Sequence, residues 1–407
     1  MFLKMLLFDH LSTDQPSLAH HSFGLLNDYG QKISKQALHK RFNESAVSFV
    51  KDVFERYLRH QLQMTQLPLG SQFSAIRILD STVFKLPASL AEVFPGFGGS
   101  GTQACAKVQF EFDILSGAIR CLDLGHGRQS DKTWAGSHQS ILKAGELILR
   151  DLGYYSIDTY RQIDEQGAWY VSRLKSQISM YEKSSDGYKE LSLKQLIKQL
   201  KQTGQSYIDR QVYIGSDCKY PVRLIANLLD EVAVGRRVAR KKHRKNRLTK
   251  ADKESCQLNL FITNLPPQMA AAQQLYRLYK IRWQIELLFK AFKSIIGLDK
   301  VHKMKPDRLK CYLYSKLLWI LLSWDICGCM QACAWNKQGR LLSYYKCFGL
   351  LKQQAAVLKD KLFCQTETLR RWLLKACRDF IDYGLKENRK GRTSLSDLLQ
   401  LKQGSTR

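Results

Sequence analysis

Residues 75–80 read Ala75-Ile76-Arg77-Ile78-Leu79-Asp80, and this mostly apolar run predicts a buried β-strand that ends in a carboxylate. A second run, Glu146 to Arg150, predicts another strand, and Asp151 follows it directly. Both strands are predicted to lie near the centre of a sheet. Because open α/β sheets bind their ligands at the carboxyl ends of such strands, Asp80 and Asp151 are the first candidates for functional residues.

The segments around these two strands complete a mixed α/β sheet, which a hairpin begins and helical crossovers extend. Asp131 is predicted to cap the first crossover helix, a structural role that is more common for such a residue than catalysis. The predicted elements are strands at Lys107 to Leu115 and Ile119 to Leu124 joined by a turn at Ser116-Gly117, helices from Asp131 to about Lys143 and from Ile157 to Ile163, and a strand from Ala168 to Leu174.

Residues 177–258 interrupt this alternation. They include the run 236–247, in which eight of twelve residues are Lys or Arg. A charge run of this kind is usually a solvated segment, and in this chain it is also a candidate for sequence-independent contact with a DNA backbone. Since Leu258 to Asn264 resumes as a core strand, the region is predicted to be an insertion. Its expected elements are a polar helix near Leu191 to Leu200 and strands at Ser206 to Ile214 and Val222 to Leu228.

Both ends of the chain are predicted to be helical. Residues 1–65 contain a short helix capped by Ser34 and a second helix whose buried side includes Val50 and Phe54. Basic residues on these two helices suit a helix-turn-helix that binds DNA, and a plain helical cap explains the same spacing equally well. Helices also dominate after Gln268.

The 11 cysteines predict neither a disulfide framework nor a zinc site. Cys327, Cys329 and Cys333 lie in the apolar stretch 312–335 without a Cys-x-x-Cys pair, so they are predicted to be buried thiols in a helix. An odd number of cysteines without a signal sequence suits a reducing cytoplasm. The apolar run Leu317 to Leu322 is too short to span a bilayer, and no membrane partner is expected.

Charge is the strongest signal in the composition. The 407 residues include 64 Lys and Arg against 36 Asp and Glu, which gives a net charge of +28. Such an excess indicates a polyanionic partner, and nucleic acid comes first because its phosphates bind Lys and Arg through release of condensed counterions. A membrane surface would also attract the chain, but the sequence offers no convincing basic amphipathic anchor.

The segment Tyr279 to Lys293 is predicted to be one amphipathic helix. At about 100° per residue, Tyr279, Arg282, Glu286 and Lys293 share a facet of roughly 60° beside an apolar face. Arg and Lys suit phosphodiester oxygens, and Tyr can donate to one. Glu suits a phosphate only if a cation lies between them, and Mg²⁺ binds carboxylates together with substrate phosphate. A structural Arg–Glu pair at i, i+4 explains the same pattern without function.

Three separate motifs make the sequence similar to a known family. Tyr279-x2-Arg282-x3-Glu286-x6-Lys293 resembles the signature of the insertion-sequence-four family of bacterial DDE transposases. The segment Asp151-Leu-Gly-Tyr-Tyr155 is similar to that family's second-aspartate motif, and Ile78-Leu79-Asp80-Ser81-Thr82 looks like its first. The resemblance covers residues 75 to about 300.

The resemblance implies a ribonuclease-H-like catalytic domain with a β-rich insertion, which corresponds here to residues 177–258. It implies an Asp-Asp-Glu triad at Asp80, Asp151 and Glu286. These carboxylates are expected to hold two Mg²⁺ ions, which Mn²⁺ can replace. Such a pair of ions would activate a nucleophile and stabilise a leaving oxygen.

The resemblance also implies partners. Tyr279, Arg282 and Lys293 match residues that bind phosphates at transposon ends. The expected partners are double-stranded DNA, both terminal inverted repeats and target, and a second copy of the chain in a homodimer that bridges two ends. The expected location is the bacterial cytoplasm, associated with the nucleoid. Asn259 stands where some relatives have a base-stacking Trp, so no flipped-base pocket is expected.

The expected function is cut-and-paste transposition of an insertion sequence, by two-metal phosphodiester cleavage followed by strand transfer. Two alternatives stay open on the sequence alone. One is a nuclease of the same fold that hydrolyses DNA without joining it. The other is a degenerate transposase that binds DNA but no longer cuts, and the complete triad counts against it.

The expected fold class is α/β, a ribonuclease-H-like mixed sheet interrupted by an insertion domain and flanked by helical regions at both ends. The predicted regions are a helical DNA-binding region at 1–65, the first part of the catalytic core at 66–176, an insertion with the basic run at 177–258, the second part of the core with the Glu286 helix at 259–300, and a helical C-terminal region at 301–407.

Overall fold

The computed structural model describes most of the chain. The described residues are 1–13, 16–61, 72–98, 103–137, 142–154, 156–217, 219–245, 247–362 and 364–387. Short 3-10 helices lie at Ala88–Leu90 and Leu152–Tyr154. The strands are β1 (Ala75–Leu86), β2 (Ala104–Asp113), β3 (Ile119–His126), β4 (Glu146–Arg150), β5 (Trp169–Arg173), β6 (Met180–Ser184), β7 (Gly187–Glu190), β8 (Ile208–Ile214), β9 (Tyr220–Leu228) and β10 (Leu258–Thr263).

Helices make up most of the remainder. They are α1 (Phe2–Ser12), α2 (Leu18–Tyr29), α3 (Lys35–Arg41), α4 (Glu44–Arg59), α5 (Asp131–Ser137), α6 (Ile157–Glu165), α7 (Leu193–Thr203), α8 (Glu231–Arg244), α9 (Lys250–Gln257), α10 (Ala272–Ile281), α11 (Trp283–Ser294), α12 (Pro306–Gln338), α13 (Tyr344–Gln353), α14 (Ala355–Lys361) and α15 (Thr366–Tyr383).

Residue contacts group the described chain into two compact units. Unit 1 takes the described residues within Met1–Pro68, Asp80–Gln129 and Trp283–Arg392. Unit 2 takes those within Leu69–Leu79 and Ser130–Arg282. Each unit is therefore built from segments that are distant in sequence.

Unit 2 contains a mixed sheet, as predicted. Its strands follow the order β1-β4-β5-β10-β9-β8-β6-β7, of which the first residues of β1 belong to this unit. The pairs β1–β4 and β4–β5 are parallel, and the remaining pairs are antiparallel. The β1–β4 register runs from Ala75↔Glu146 to Leu79↔Arg150.

The region 177–258 extends this sheet. Its strand β9 pairs with β10 along six residues, and one apolar cluster contains side chains from both sides, such as Ile148 of β4 and Val212 of β8. The region therefore shares the core of unit 2. The sequence missed the hairpin β6–β7 because its strands are short, charged and largely exposed, without apolar alternation.

A buried ion pair holds β1 against β4. Arg77 Nη1 donates to Glu146 Oε2 at 3.0 Å, and the two side chains are only 1% and 4% exposed. The same carboxylate oxygen accepts from the backbone nitrogen of Lys143 at 3.1 Å. Burying a charge is unfavourable unless the charge is paired. The ion pair therefore stabilises the register in which Arg77 and Glu146 meet.

Unit 1 contains the predicted hairpin. Strands β2 and β3 pair antiparallel, and Gly117 has φ 70° in the turn between them. The strand order is β3-β2-β1. The prediction that the first strand ends at Asp80 is wrong, because β1 continues to Leu86. Residues Thr82, Val83 and Phe84 are β-branched or aromatic and favour an extended chain beyond the carboxylate.

The N-terminal helices pack on α12 within unit 1. Ser34 caps α3 as predicted, and its hydroxyl accepts from the backbone nitrogen of Ala37 at 3.1 Å. Val50 and Phe54 are buried on α4, also as predicted. Leu38 of α3 and Tyr312 of α12 belong to one apolar cluster. Basic side chains of α3 are exposed, so the helix-turn-helix and the structural cap both remain predictions.

Helix α12 is long and apolar. Within the described part of the chain it alone passes a length and composition test for crossing a membrane, and 78% of its most apolar window is buried in the protein. The prediction of three buried thiols is right only for Cys327, since Cys333 is half-buried and Cys329 is exposed. Helical periodicity explains the difference, because Cys329 and Cys333 are four residues apart on one face of α12, whereas Cys327 lies on another face.

The buried ion pair leads to a first prediction. Replacing Glu146 with alanine leaves the Arg77 guanidinium buried without this partner, and we expect a loss of about 3–5 kcal/mol in the free energy of unfolding. Urea denaturation measures this loss. Asp158→Ala is the matched control, because the Asp158–Arg161 pair is exposed and 3.8 Å long, and its loss should cost at most about 1 kcal/mol. Equal effects of both substitutions would contradict the prediction.

Candidate active site

The helix predicted from Tyr279 to Lys293 is two helices. Helix α10 ends at Ile281 and α11 begins at Trp283, with Arg282 in the turn. The backbone nitrogen of Arg282 donates to the Tyr279 carbonyl at 3.1 Å, an i−3 bond that tightens the chain locally. Side-chain spacing hardly changes over one tightened turn, so the sequence pattern could not reveal the break. Tyr279 therefore lies on α10, whereas Glu286 and Lys293 lie on α11.

In unit 2, Asp151 lies where the prediction put it, directly after β4, and is half-buried. The hydroxyl of Tyr279 donates to Asp151 Oδ1 at 3.3 Å. The Tyr279 ring meets Phe261 of β10 edge-on, with ring centroids 5.2 Å apart. The core therefore fixes the ring, and the ring holds the carboxylate at the end of β4.

Burial raises the pKa of the Tyr279 phenol well above its usual value, and the negative charge of Asp151 raises it further. The phenol thus stays protonated at neutral pH and acts as a hydrogen-bond donor. Two cations, Arg282 and Arg173, oppose this shift. Arg173 was not among the predicted site residues. It is the last residue of β5, which pairs in parallel with β4, so it lies at the sheet edge where β4 ends.

Arg282 also stays close to Tyr279. Its guanidinium carbon is 5.7 Å from the centre of the Tyr279 ring, and the side chain is half-buried. Contact between a guanidinium and an aromatic face is attractive and orients the cation. Unit 2 thus brings together three of the predicted site residues, Asp151, Tyr279 and Arg282.

In unit 1, Asp80 and Glu286 are both half-buried. Asp80 Oδ1 accepts from the backbone nitrogen of Ser81 at 2.8 Å. Glu286 lies on α11, whose apolar face packs on β2 through Phe292, with its ring centroid 5.6 Å from that of Phe110. The packing of α11 against the hairpin strand therefore sets the orientation of the Glu286 helix within this unit.

Lys293 connects α11 to the strand that carries Asp80. Its Nζ donates to the carbonyl oxygen of Val83 at 3.0 Å, and Val83 lies three residues after Asp80 on β1. Burial lowers the pKa of the Lys293 ammonium from its ordinary value. Unit 1 thus brings Lys293 to the Asp80 strand. The sequence offered no signal for the carbonyl partner, because a backbone acceptor has no residue-type signature.

Among the residues that the structure describes, no group of three or more His, Cys, Asp and Glu side chains is arranged to hold a metal ion. The predicted ligands are nevertheless chemically suited to one. Carboxylate oxygens are the hard donors that Mg²⁺ and Mn²⁺ prefer. Asp151 accepts one hydrogen bond from the Tyr279 hydroxyl. Because a carboxylate has about four acceptor positions, others remain with which it can bind a cation.

The prediction that Asp131 caps the first crossover helix needs correction. Helix α5 begins at Asp131 itself, and the hydroxyl of Ser130 accepts from the backbone nitrogen of Thr133 at 3.5 Å. Ser130 therefore supplies the cap predicted for Asp131, because a cap precedes the first helical residue. Tyr155 of the second-aspartate motif lies outside the described residues.

Comparison with known proteins places this chain in a class. Residues 71–322 match the family described as the transposase DDE domain. This match covers more than half of the chain, and the chain belongs to that family of insertion-sequence transposases, which are polynucleotidyl transferases that act on DNA.

Relatives along nearly the whole chain agree. The chain is 31% identical over 390 residues to the transposase for insertion sequence element IS231E of Bacillus thuringiensis subsp. finitimus, covering 91% of this chain and 81% of that protein. It is equally similar, over the same shares, to the transposase for element IS231F of Bacillus thuringiensis subsp. israelensis. With the transposase for element IS1151 of Clostridium perfringens it shares 30% identity, over 92% of this chain and 83% of that protein.

The Asp151–Tyr279 contact gives a second prediction. Tyr279→Phe keeps the ring on Phe261 but removes the donor, and we expect the free energy of unfolding to fall by about 1 kcal/mol. Tyr276→Phe is the matched control on the same helix, since Tyr276 is 44% exposed and also packs its ring on Phe261. Thermal unfolding compares the two variants. A Tyr276→Phe loss as large as that of Tyr279→Phe would show that the hydroxyl contact adds nothing.

Proposed function

We propose that this protein moves an insertion sequence by cut-and-paste transposition. In this reaction a phosphodiester bond at each terminal inverted repeat is cleaved, and the freed 3′-hydroxyl attacks a phosphodiester of target DNA. Membership of the transposase family and the net charge of +28 support DNA as the substrate. The proposal assigns catalysis to Asp80, Asp151 and Glu286.

The observation that carries this proposal is the hydrogen bond between Tyr279 and Asp151. These residues are 128 positions apart and belong to two different sequence motifs, yet unit 2 places them 3.3 Å apart. The hydrogen bond from the Tyr279 phenol restrains the rotamer of the Asp151 carboxylate. Catalytic groups and metal ligands need such restraint, so the contact supports a functional role for Asp151.

Carboxylate chemistry supports divalent cations as the cofactor. Asp80, Asp151 and Glu286 would hold two Mg²⁺ or Mn²⁺ ions. When bound, the ions supply activation of the attacking hydroxyl and neutralisation of charge on the phosphate. The chain itself contributes the orientation of each carboxylate, Asp80 through the Ser81 amide and Asp151 through the Tyr279 hydroxyl.

Positioning of the scissile phosphate is assigned to cationic side chains. We propose that Arg282 and Lys293 contact non-bridging oxygens and that the Tyr279 hydroxyl is a further donor. The guanidinium of Arg282 lies 5.7 Å from the centre of the Tyr279 ring, and its planar donors suit the oxygens of a phosphate. Arg173 adds positive charge at the same sheet edge.

The resemblance to the transposase family extends the proposal to assembly. We propose a homodimer that bridges two transposon ends in the bacterial cytoplasm, at the nucleoid where its DNA lies. A dimer that requires both ends before cutting would prevent cleavage of an unpaired end. Light scattering of the protein with a duplex that carries one terminal repeat tests the assembly. The expected mass is that of two chains and two duplexes, and a mass of one chain on one duplex contradicts it.

Glu286→Gln tests the catalytic assignment. The substitution keeps the side-chain shape but removes the charge, and we expect strand transfer to fall by at least about 100-fold while DNA binding persists. Joined products are measured on gels with labelled terminal-repeat DNA, plasmid target and Mg²⁺. Glu367→Gln is the control, because Glu367 is an exposed carboxylate paired only with Arg370 and Arg371 of its own helix among the described contacts.

The same assay separates the alternatives. Joined products from the native chain support transposition. Cleavage without joining supports a nuclease, and binding without either supports a degenerate transposase. Unchanged strand transfer by Glu286→Gln would mean that the catalytic carboxylate lies elsewhere.

Metal dependence gives a further prediction. Chelation with EDTA should abolish both cleavage and joining, and adding Mg²⁺ or Mn²⁺ should restore them, because carboxylate-rich sites bind these hard ions. The readout is again the set of DNA products. Persistent cleavage in excess EDTA would remove the metal role assigned to Asp80, Asp151 and Glu286.

A further inference from the structure

The basic run 236–247 is unusual in its lack of acidic residues. From Val232 to Ala251 the sequence contains no Asp or Glu, whereas eight of the residues between 236 and 247 are Lys or Arg. Most of this run lies on helix α8. Like charges at i, i+4 slightly destabilise a helix, and protein acceptors or an external anion can offset this effect.

Part of the basic charge is satisfied within unit 2. Arg237 donates through Nη1 to the Leu258 carbonyl at 2.8 Å and through Nη2 to the Asn259 side chain. Lys241 Nζ lies 2.9 Å from Asp252 Oδ1, and Lys245 Nζ lies 3.1 Å from Asp252 Oδ2. Lys241, the Thr249 amide and Lys245 hold the pKa of Asp252 well below its usual range. These contacts fix α8 against β10 and α9.

Other basic side chains of α8 are exposed. Arg236 and Arg240 are four residues apart, so they share one face of α8 roughly 6 Å apart along its axis. Both are exposed, as is Lys242. Among the described residues no ion pair with Arg236 or Arg240 is formed. The contacts of Arg237 and Lys241 therefore hold α8 in place, and Arg236 and Arg240 are exposed on the same helix.

We infer that the exposed face of α8, defined by Arg236 and Arg240, binds the phosphate backbone of double-stranded DNA. Charge complementarity selects this partner, because two exposed guanidinium groups on one helix face, in a segment that has no Asp or Glu from Val232 to Ala251, suit a row of phosphates. Such contacts position DNA and do not read its sequence. The inference rests on DNA as the substrate of the proposed function but not on the catalytic residues.

The salt dependence of binding tests this inference. The full-length protein and a fluorescent duplex of random sequence are mixed in EDTA, and the association constant is measured by anisotropy across a KCl series. Each neutralised phosphate contributes about 0.9 to the slope of log K against log salt. Arg236→Gln with Arg240→Gln should therefore weaken binding and make the slope shallower by about 1.8.

The control removes the same charge elsewhere in unit 2. Lys194 and Lys198 are exposed and four residues apart on α7, and replacing both with Gln should leave the slope unchanged. Arg236→Lys with Arg240→Lys should restore the native slope, because a phosphate contact needs the charge. If both Gln pairs change the slope equally, general charge explains binding and the assignment to α8 is overturned.

The chosen conditions separate this inference from the proposed function. EDTA prevents metal-dependent cleavage, so the binding result does not depend on catalysis. A protein that binds with the predicted slope but never joins DNA would contradict the catalytic proposal alone. Native transposition with an unchanged slope in the Arg236→Gln, Arg240→Gln variant would contradict only the role of α8.

Discussion

Parallel pairing of β1 with β4 is the constraint on which the position of Asp151 depends. The register ends at Leu79↔Arg150, and Asp151 directly follows the last residue of β4. A slip of one residue would turn every side chain of a strand to the opposite face. The buried Arg77–Glu146 pair makes such a slip costly, because either charge would lose its partner inside the protein. The buried ion pair thus fixes the register of β4, the strand that Asp151 follows.

The sequence predicted those parts of the fold whose pattern is local. The strand Glu146–Arg150, the hairpin of β2 and β3 and the Ser34 cap follow from apolar runs, turn residues and capping chemistry, and the structure confirms them. The continuation of β1 past Asp80 was missed, since a carboxylate was taken as an end although the residues after it favour a strand. The break at Arg282 was invisible, because it arises from one backbone hydrogen bond.

The candidate site divides in the same way. Motif spacing predicted Asp151 and Tyr279, and the structure joins them by a hydrogen bond. Motif spacing could not predict that Arg173 acts on the same phenol or that Val83 accepts from Lys293, since both depend on tertiary packing. The sequence also could not predict that Arg237 and Lys241 bind acceptors within the protein. All residues of the basic run carry similar charges, and only the acceptors on β10 and α9 distinguish the residues that hold α8 in place from the exposed ones.

The contact between Lys293 and the Val83 carbonyl has a consequence for how the proposed phosphate ligand is presented. An ammonium group has three N–H donors, and the Val83 carbonyl takes one of them. The backbone of β1 therefore orients the ammonium without using all of its donors. In its proposed role, Lys293 contacts a phosphate and still holds the strand that follows Asp80.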